Sequence, residues 1–95
     1  MKKTKFYISG RHNGKAEARL VNGYVETING LPIGIHKTPA GWNVSELSTG
    51  LKFTEGRTRA EAMNKALEML DYVSDVIKRD IYDNARKMIS AAYGM

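Results

Sequence analysis

Glycine and proline are concentrated in one part of this chain. Ten of its eleven glycine and proline residues lie before residue 57, and neither type occurs between Thr58 and Tyr93. Both residue types interrupt regular helices and are common in turns. The chain therefore divides into a turn-rich part, 1–57, and a part suited to helix, 58–95. A chain of 95 residues is long enough for one domain, so we expect the two parts to share one hydrophobic core.

The turn-rich part has the pattern of consecutive β-hairpins. Asn-Gly dipeptides accept the positive φ angles of the tight turns that join hairpin strands. They occur at 13–14, 22–23 and 29–30, with further turn signals at 39–41 and 48–50. The runs between these turns have the composition of strands: Thr4–Gly10, Lys15–Val21, Tyr24–Ile28, Leu31–His36, Trp42–Leu47 and Leu51–Thr54.

Apolar residues alternate within these runs, which places them on one face of each strand. The alternating sets are Phe6 and Ile8; Ala16, Ala18 and Leu20; Leu31, Ile33 and Ile35; Trp42 and Val44; Leu51 and Phe53. We assign all of them to one face of the sheet, which predicts an antiparallel meander of four to six strands. Pro32 lacks the N–H that a central strand uses, so its segment is predicted to be an edge or irregular.

The sequence of the second part predicts one long helix, from about Thr58 to about Tyr93. Thr58 and Glu61 have the spacing of a capping box, which satisfies free amides at the start of a helix. Apolar residues then recur every three or four positions, as on one face of an amphipathic helix. The predicted fold class is therefore α+β, an antiparallel sheet followed by a C-terminal helix packed on one face.

A helix of that length is longer than the sheet it covers. About 35 residues of helix span roughly 52 Å, whereas strands of five to seven residues span about 17–23 Å. We expect the projecting part to form a homodimer or dock a partner through its apolar side chains: Ile77, Ile81, Tyr82, Met88 and Ile89. The alternative is a break near Lys78-Arg79-Asp80, with the second half folding back within a monomer.

Positive charge is concentrated in the turn-rich part. The chain has a net charge of +5, and the whole excess falls within residues 1–57, where nine basic residues stand against four acidic ones. Side chains that alternate with the apolar sets form a predicted exposed basic face: Lys3, Lys5, Tyr7, Arg11, Lys15, Arg19 and Lys52. Such a face suits single-stranded nucleic acid or an acidic protein surface. A solvated sheet face that keeps the protein in solution has the same composition.

Few residues have the arrangement of an enzyme active site. The chain contains no cysteine, which excludes disulfides, cysteine-bound zinc and thiol nucleophiles. No Gly-Lys-Ser/Thr sequence occurs, as a phosphate-binding loop requires. His12 and His36 are the only candidates for acid–base cleavage of RNA, and each lies beside a predicted turn. We therefore predict a non-enzymatic protein with no metal and no cofactor.

No targeting segment is expected at the amino terminus. The lysines at positions 2, 3 and 5 are not followed by the apolar stretch of a signal peptide. No apolar run in the chain is long enough to cross a bilayer. We expect a cytoplasmic protein.

Two segments resemble the HicB-like antitoxin domain. The first runs from Gly41-Trp42 to Glu46-Leu47, and the second from Gly56-Arg57-Thr58 through Glu61-Ala62 to Ala66. The family has an aromatic-led strand, Glu-Leu before a glycine turn, and Gly-x-Thr-x-x-Glu-Ala at the start of a helix. The resemblance implies a small non-catalytic protein that binds and silences a partner. In its size, charge and lack of cofactor motifs, the chain also resembles phage and mobile-element inhibitors such as anti-CRISPR proteins.

The predicted function is that of a non-enzymatic binding protein, an inhibitor that blocks a macromolecular partner. In this interpretation the basic face makes the electrostatic contact and the projecting helix makes the apolar one. The alternative is a small basic protein that binds nucleic acid directly through the exposed sheet face. A third hypothesis, cleavage of RNA by His12 and His36, ranks below both.

Overall fold

The computed structural model, which describes residues 1–94, begins with a five-stranded antiparallel sheet. Each strand pairs with the next along the chain, which gives the order β1-β2-β3-β4-β5. The strands are β1 (Lys2–His12), β2 (Lys15–Ile28), β3 (Leu31–Thr38), β4 (Gly41–Glu46) and β5 (Lys52–Gly56). Helical segments follow the sheet. The α+β class and the antiparallel meander predicted from the sequence are confirmed.

Two of the three Asn-Gly dipeptides form the predicted hairpin turns. Asn13 and Asn29 have φ angles of 50° and 51°, and each is followed by a glycine that is also at positive φ, as a tight hairpin turn requires. The third dipeptide, Asn22-Gly23, lies within the continuous strand β2, so its prediction as a turn is wrong. A Cβ atom at Gly23 would lie 2.9 Å from Cε1 of Phe6. This glycine therefore allows close packing inside a strand.

One face of the sheet packs against helix α1 (Arg59–Val76). The sheet contributes large aliphatic side chains to this core, and the helix contributes two alanines and two larger residues. The buried members are Leu31, Ile33, Ile35, Val44, Ala62, Ala66, Leu70 and Val73. The small alanine side chains let the helix lie close to the sheet. Removal of this apolar surface from water is what stabilises the two-layer arrangement.

The opposite face of the sheet carries a second apolar cluster around Phe6. Phe6 is 2% exposed, and a Cβ atom at Gly34 would lie 2.6 Å from Cε2 of its ring. Ile8 shares the face of Phe6, whereas Leu20 pairs with Tyr7 on the other face. The prediction that all alternating apolar residues share one face is therefore wrong. The sheet buries apolar side chains on both sides.

The sheet curls until the free edge of β1 meets the β4–β5 loop. The Ser9 N–H donates to the Gly50 carbonyl at 2.8 Å, and Ser9 Oγ donates to the Thr49 carbonyl at 2.6 Å. The loop is held in turn by Glu46, whose carboxylate accepts hydrogen bonds from Ser48 and Thr49. These contacts satisfy part of the β1 edge and make the face opposite to α1 concave.

Pro32 lies in a central strand, so its predicted edge position is wrong. β3 pairs with β2 on one side and with β4 on the other. The pairing with β4 ends where Ile33 lies opposite Glu46, which leaves Pro32 beyond the last pair. The Pro32 carbonyl accepts the Leu47 N–H at 2.9 Å. The ladder with β4 therefore does not need the N–H that proline lacks.

The helical part consists of two helices joined by a break. α1 ends at Val76, a 3-10 turn covers Asp80–Tyr82, and α2 covers Asp83–Ala92. The prediction of one uninterrupted helix is wrong, and the alternative, a break near Lys78-Arg79-Asp80, is confirmed. The start of α1 is as predicted, because Thr58 Oγ1 accepts the Glu61 N–H at 3.1 Å.

An arginine side chain stabilises this break, and neither glycine nor proline is needed. Arg86 of α2 donates to the carbonyl oxygens of Ile77 and Arg79 and forms an ion pair with Asp83. The last carbonyls of a helix have no N–H partner within that helix. The Arg86 guanidinium provides hydrogen-bond donors to these carbonyls in place of the amides of a further helical turn. Arg79 has an extended backbone, with φ −69° and ψ 147°, which redirects the chain.

After the break, α2 folds back onto β1 and the β4–β5 loop. Ile89 is 2% exposed, and a Cβ atom at Gly50 would lie 2.7 Å from its Cδ1 atom. Near the end of the chain, Tyr93 Oη accepts the Tyr7 N–H at 3.0 Å. The fold measures 30 × 29 × 24 Å, so α2 does not project from the sheet. None of the described helices combines the length and apolarity needed to cross a bilayer.

Candidate functional site

The β1–β2 hairpin carries most of the excess positive charge. Within residues 2–28, six Lys and Arg residues stand against two Glu residues. The basic residues are Lys2, Lys3, Lys5, Arg11, Lys15 and Arg19. All six are exposed, and so is every residue from 11 to 17. We call this hairpin, residues 2–28, the cationic arm.

One face of the cationic arm holds the predicted binding residues of β1. Lys3, Lys5, Tyr7 and Arg11 occupy alternate positions of the strand and share this face. Tyr7 is half-buried because its ring packs edge-to-face on Tyr93, with 4.9 Å between the ring centroids. The two lysines and Arg11 are exposed and available to a partner. Tyr7 is instead part of the packing of α2.

The other face of the cationic arm holds the predicted residues of β2. Arg19 pairs with Ile8, and Lys15 pairs with His12. Ile8 and His12 lie on the face of β1 opposite to Lys3 and Lys5. Their partners Arg19 and Lys15 therefore also point away from the first face. The prediction that all seven binding residues share one face is therefore wrong. The structure instead brings Arg19 to the same cleft as Lys52 of β5.

This cleft lies on the concave face of the sheet and has a volume of about 440 Å³. It is lined by residues of all five strands and by Gly50 of the β4–β5 loop. The polar side chains among the lining residues include those of Arg19, His36, Asn43, Ser45 and Lys52. No carboxylate within residues 1–94 lines it. The cleft therefore has an excess of positive charge in a space of the size that small-molecule sites occupy.

Gly10 allows Arg19 to lie across β1. A Cβ atom at Gly10 would lie 2.6 Å from Cδ of Arg19, closer than two carbon atoms approach without bonding. The aliphatic part of the arginine side chain therefore packs over the glycine. From this position Arg19 lines the cleft.

His36 lines the same cleft from β3 and is 7% exposed. Its Nδ1 atom is buried and has no hydrogen-bond partner in the part of the chain that the structure describes. The imidazole packs edge-to-face against Phe6, with 6.2 Å between the ring centroids. Burial lowers the pKa of His36, and the positive charge of Arg19 lowers it further. Both effects disfavour the charged imidazolium, so the ring is neutral at pH 7.

The five residues predicted for docking do not form one surface. Ile77 packs against the main core, and Ile89 is buried between α2 and the β4–β5 loop. Tyr82 and Met88 are half-buried and line separate cavities, while Ile81 is 76% exposed. Because neither α1 nor α2 projects from the sheet within residues 1–94, the geometric reason for expecting a homodimer through these residues is lost. A homodimer stays a prediction.

The two histidines lie far apart along the sheet. His36 is level with Gly23 of β2, and Gly23 pairs with Thr4 of β1. His12 lies eight residues further along β1, about 27 Å at the rise of a strand. The structure therefore does not bring His12 and His36 together as the acid and base of one site.

Local sequence patterns do not predict the cleft or the position of His36 in it. They place His36 beside a turn and indicate no role for Ser45. The available signal was hairpin register, because a two-residue turn fixes every pair that follows it. With the turn at 13–14, Arg19 must pair with Ile8, which removes Arg19 from the face of Lys3 and Lys5.

Comparisons with known proteins provide no relative for this chain. No protein family, curated protein or solved structure matches it. Among residues 1–94, no three His, Asp or Glu side chains are grouped as metal ligands would be. The candidate site is therefore defined by its own geometry, an exposed cationic arm with a cationic cleft on one side.

Proposed function

We propose that this protein is a non-enzymatic binding protein that covers an anionic surface of a macromolecular partner. The observation that supports this function is the exposure of all six cationic side chains of the arm. A concentration of one charge sign steers an oppositely charged partner and fixes its orientation. In this proposal Lys3, Lys5 and Arg11 make the contact on one face of the arm, and Lys15 makes it on the other.

Inhibition of the partner is the role that the HicB-like resemblance adds to the proposal. β4 has its aromatic residue, Trp42, at the second position, and α1 begins at the cap formed by Thr58. These elements fall where the family pattern has its aromatic-led strand and its helix start. An inhibitor of this kind acts by occupying a surface that the partner needs, which requires no catalytic group. Origin in a phage or mobile element, and action in the cytoplasm, belong to the same proposal.

A nucleic acid is the alternative partner. Basic side chains on both faces of the arm and in the cleft favour this alternative, because phosphates contribute most of the affinity in sequence-independent binding. Tyr7 packs against Tyr93, so it does not offer a free ring on which a base stacks. Binding of nucleic acid would rest on phosphate contacts and would weaken steeply as salt is added.

Capture of partners from a host lysate, with and without nuclease, tests the proposal and separates the two partner classes. The arm variant carries Lys3→Glu and Lys5→Glu. The control carries Lys78→Glu and Lys87→Glu, the same charge change at exposed positions of the helical part. We expect the arm variant to lose the partner that the wild-type protein and the control retain.

The response to nuclease shows whether the partner is a protein or a nucleic acid. A captured protein that survives nuclease treatment supports the inhibitor function, and loss of capture after nuclease supports the nucleic-acid alternative. Equal capture by the arm variant and the control would contradict the proposed role of the arm.

A further inference from the structure

We propose that the concave cleft is a binding site for a phosphate group. This inference goes beyond the proposed function, which depends on the exposed lysines of the arm. The ligand is a phosphate monoester or diester, such as the phosphate of a mononucleotide or of a nucleic-acid chain. The cleft volume of about 440 Å³ leaves room for a substituent on the phosphate.

The charge of the cleft is the first reason for this assignment. Arg19 from β2, Lys37 from β3 and Lys52 from β5 line it, and no carboxylate within the described chain does so. A guanidinium presents a planar set of donors that matches two oxygens of a phosphate, and an ammonium adds a compact charge. Cations on separate strands therefore favour an anion with several oxygens, such as a phosphate, over a single carboxylate.

The imidazole of His36 is the second reason. Nδ1 is buried and has no hydrogen-bond partner within residues 1–94, so it takes no part in the site. His36 lines the cleft, and Nε2 is the ring nitrogen that it can offer to a ligand there. Ser45 and Asn43 line the same space and add neutral donors. Such a set of neutral and charged donors is typical of an oxyanion site.

Among the described residues, Glu55 is the acidic residue that contacts a cation of the cleft. Its Oε1 atom lies 3.4 Å from Nζ of Lys52, and both side chains are largely exposed. An exposed ion pair of this kind contributes little free energy, so a phosphate competes with it for Lys52. Removal of the Glu55 charge is therefore expected to strengthen phosphate binding.

Proton NMR of the two histidines provides a direct test, because the chain contains only His12 and His36. Inorganic phosphate is added to the full chain at pH 7.5 and low salt, with acetate as the carboxylate comparison. We expect a saturable shift of the His36 ring signals with phosphate, a much smaller shift with acetate, and unchanged His12 signals. The absence of a His36 shift, or an equal response to acetate, would overturn the assignment.

Two arginines of the same hairpin supply the matched variants. Arg19→Gln removes one cation of the cleft, and Arg11→Gln makes the same change on the opposite face of the arm. We expect Arg19→Gln to weaken phosphate binding about tenfold, and Arg11→Gln to change it by less than about twofold. Equal losses in both variants would show that only the net charge matters and would overturn the proposal.

Glu55→Gln distinguishes an effect on the binding site from damage to the fold, because it is expected to increase phosphate affinity by about twofold to fivefold. A damaged fold does not bind more tightly. Unchanged or weaker binding by Glu55→Gln, in a protein whose His36 signals are native, would contradict the placement of the phosphate beside Lys52.

The source of the phosphate is distinguished by two further titrations. A nucleoside monophosphate and a short single-stranded oligonucleotide are compared with inorganic phosphate at the His36 signals. Tighter binding of the mononucleotide indicates a free nucleotide, and tighter binding of the oligonucleotide with competition by phosphate indicates a nucleic-acid chain. Failure of all three ligands would overturn the cleft assignment and leave the function proposed for the cationic arm intact.

Discussion

The carboxylate of Glu46 is enclosed by donors of its own loop. The residue is 1% exposed, and its oxygens accept hydrogen bonds from the amides and hydroxyls of Ser48 and Thr49 at 2.8–3.0 Å. A carboxylate is tolerated inside a protein when such donors replace its water. The same loop carries Gly50, which receives the free edge of β1. Glu46 therefore supports the closure of the sheet and the wall of the cleft.

Glu46→Gln is expected to lower the free energy of unfolding by about 2–4 kcal/mol, because an amide group would face donors in place of an acceptor. Glu55→Gln is the control and is expected to change it by less than about 0.5 kcal/mol, since Glu55 forms only an exposed ion pair. Urea unfolding followed by circular dichroism measures both values. Equal stability of the two variants would contradict the structural role given to Glu46.

His36 makes the stability of the fold depend on pH. Its pKa in the folded protein lies below the ordinary value of 6.5 because of burial and the charge of Arg19. As the pH falls below 6.5, the unfolded chain takes up a proton that the folded chain still excludes. The free energy of unfolding is therefore expected to decrease from about pH 6.5 downward until the folded-state pKa is passed.

His36→Gln is expected to remove this part of the pH dependence, whereas His12→Gln, at an exposed position, is expected to leave it in place. Urea unfolding of the wild-type protein and both variants between pH 5 and pH 8 makes the comparison. If His36→Gln retains the wild-type pH dependence in that window, the environment assigned to His36 is wrong.

Hairpin turns determine how much of the sheet can be predicted from the sequence. The turns at 13–14 and 29–30 have the expected geometry, and with them the strands β1, β2 and β3 and their pairing follow. The predicted faces are wrong because alternation within each strand does not include the register that these turns impose on neighbouring strands. The predictions for Gly23 and Pro32 are wrong for another reason, because tertiary contacts override their local preferences. Gly23 favours a turn but lies in a strand, where Phe6 packs on it. Pro32 favours an edge but lies in a central strand, because the pairing of β3 with β4 stops at Ile33.

The two helices show what local sequence cannot specify. The cap at Thr58 could be predicted because its contact with Glu61 spans three residues. The break after Val76 depends on Arg86, which reaches back nine residues to the Ile77 carbonyl. No helix-breaking residue marks this position. The fold-back of α2 therefore had to be found in the structure, and so did the burial of Ile89.

Arg86→Ala is expected to loosen the junction between α1 and α2, because the carbonyls of Ile77 and Arg79 lose their donor. We expect a loss of about 1–2 kcal/mol of stability and faster amide hydrogen exchange confined to α2. Lys87→Ala, at the neighbouring exposed position, is the control. Exchange in α2 that is equally slow in both variants would contradict the role assigned to Arg86.

Charge and shape together determine what the folded protein offers to a partner. The net charge is +5, and most of it lies on the cationic arm. Part of the apolar stripe of the helical segment is buried within the molecule, where Ile77 and Ile89 are packed. The electrostatic surface of the arm is therefore the feature on which the proposed function depends.

The salt dependence of partner affinity tests this central claim most directly. The dissociation constant of the captured partner is measured between about 50 and 200 mM salt for the wild-type protein, Lys3→Gln/Lys5→Gln and Lys78→Gln/Lys87→Gln. We predict affinity that falls steeply with salt in the wild-type protein and the helical control, and a shallower dependence in the arm variant. Affinity that is independent of salt, or an identical dependence in all three proteins, would contradict the account.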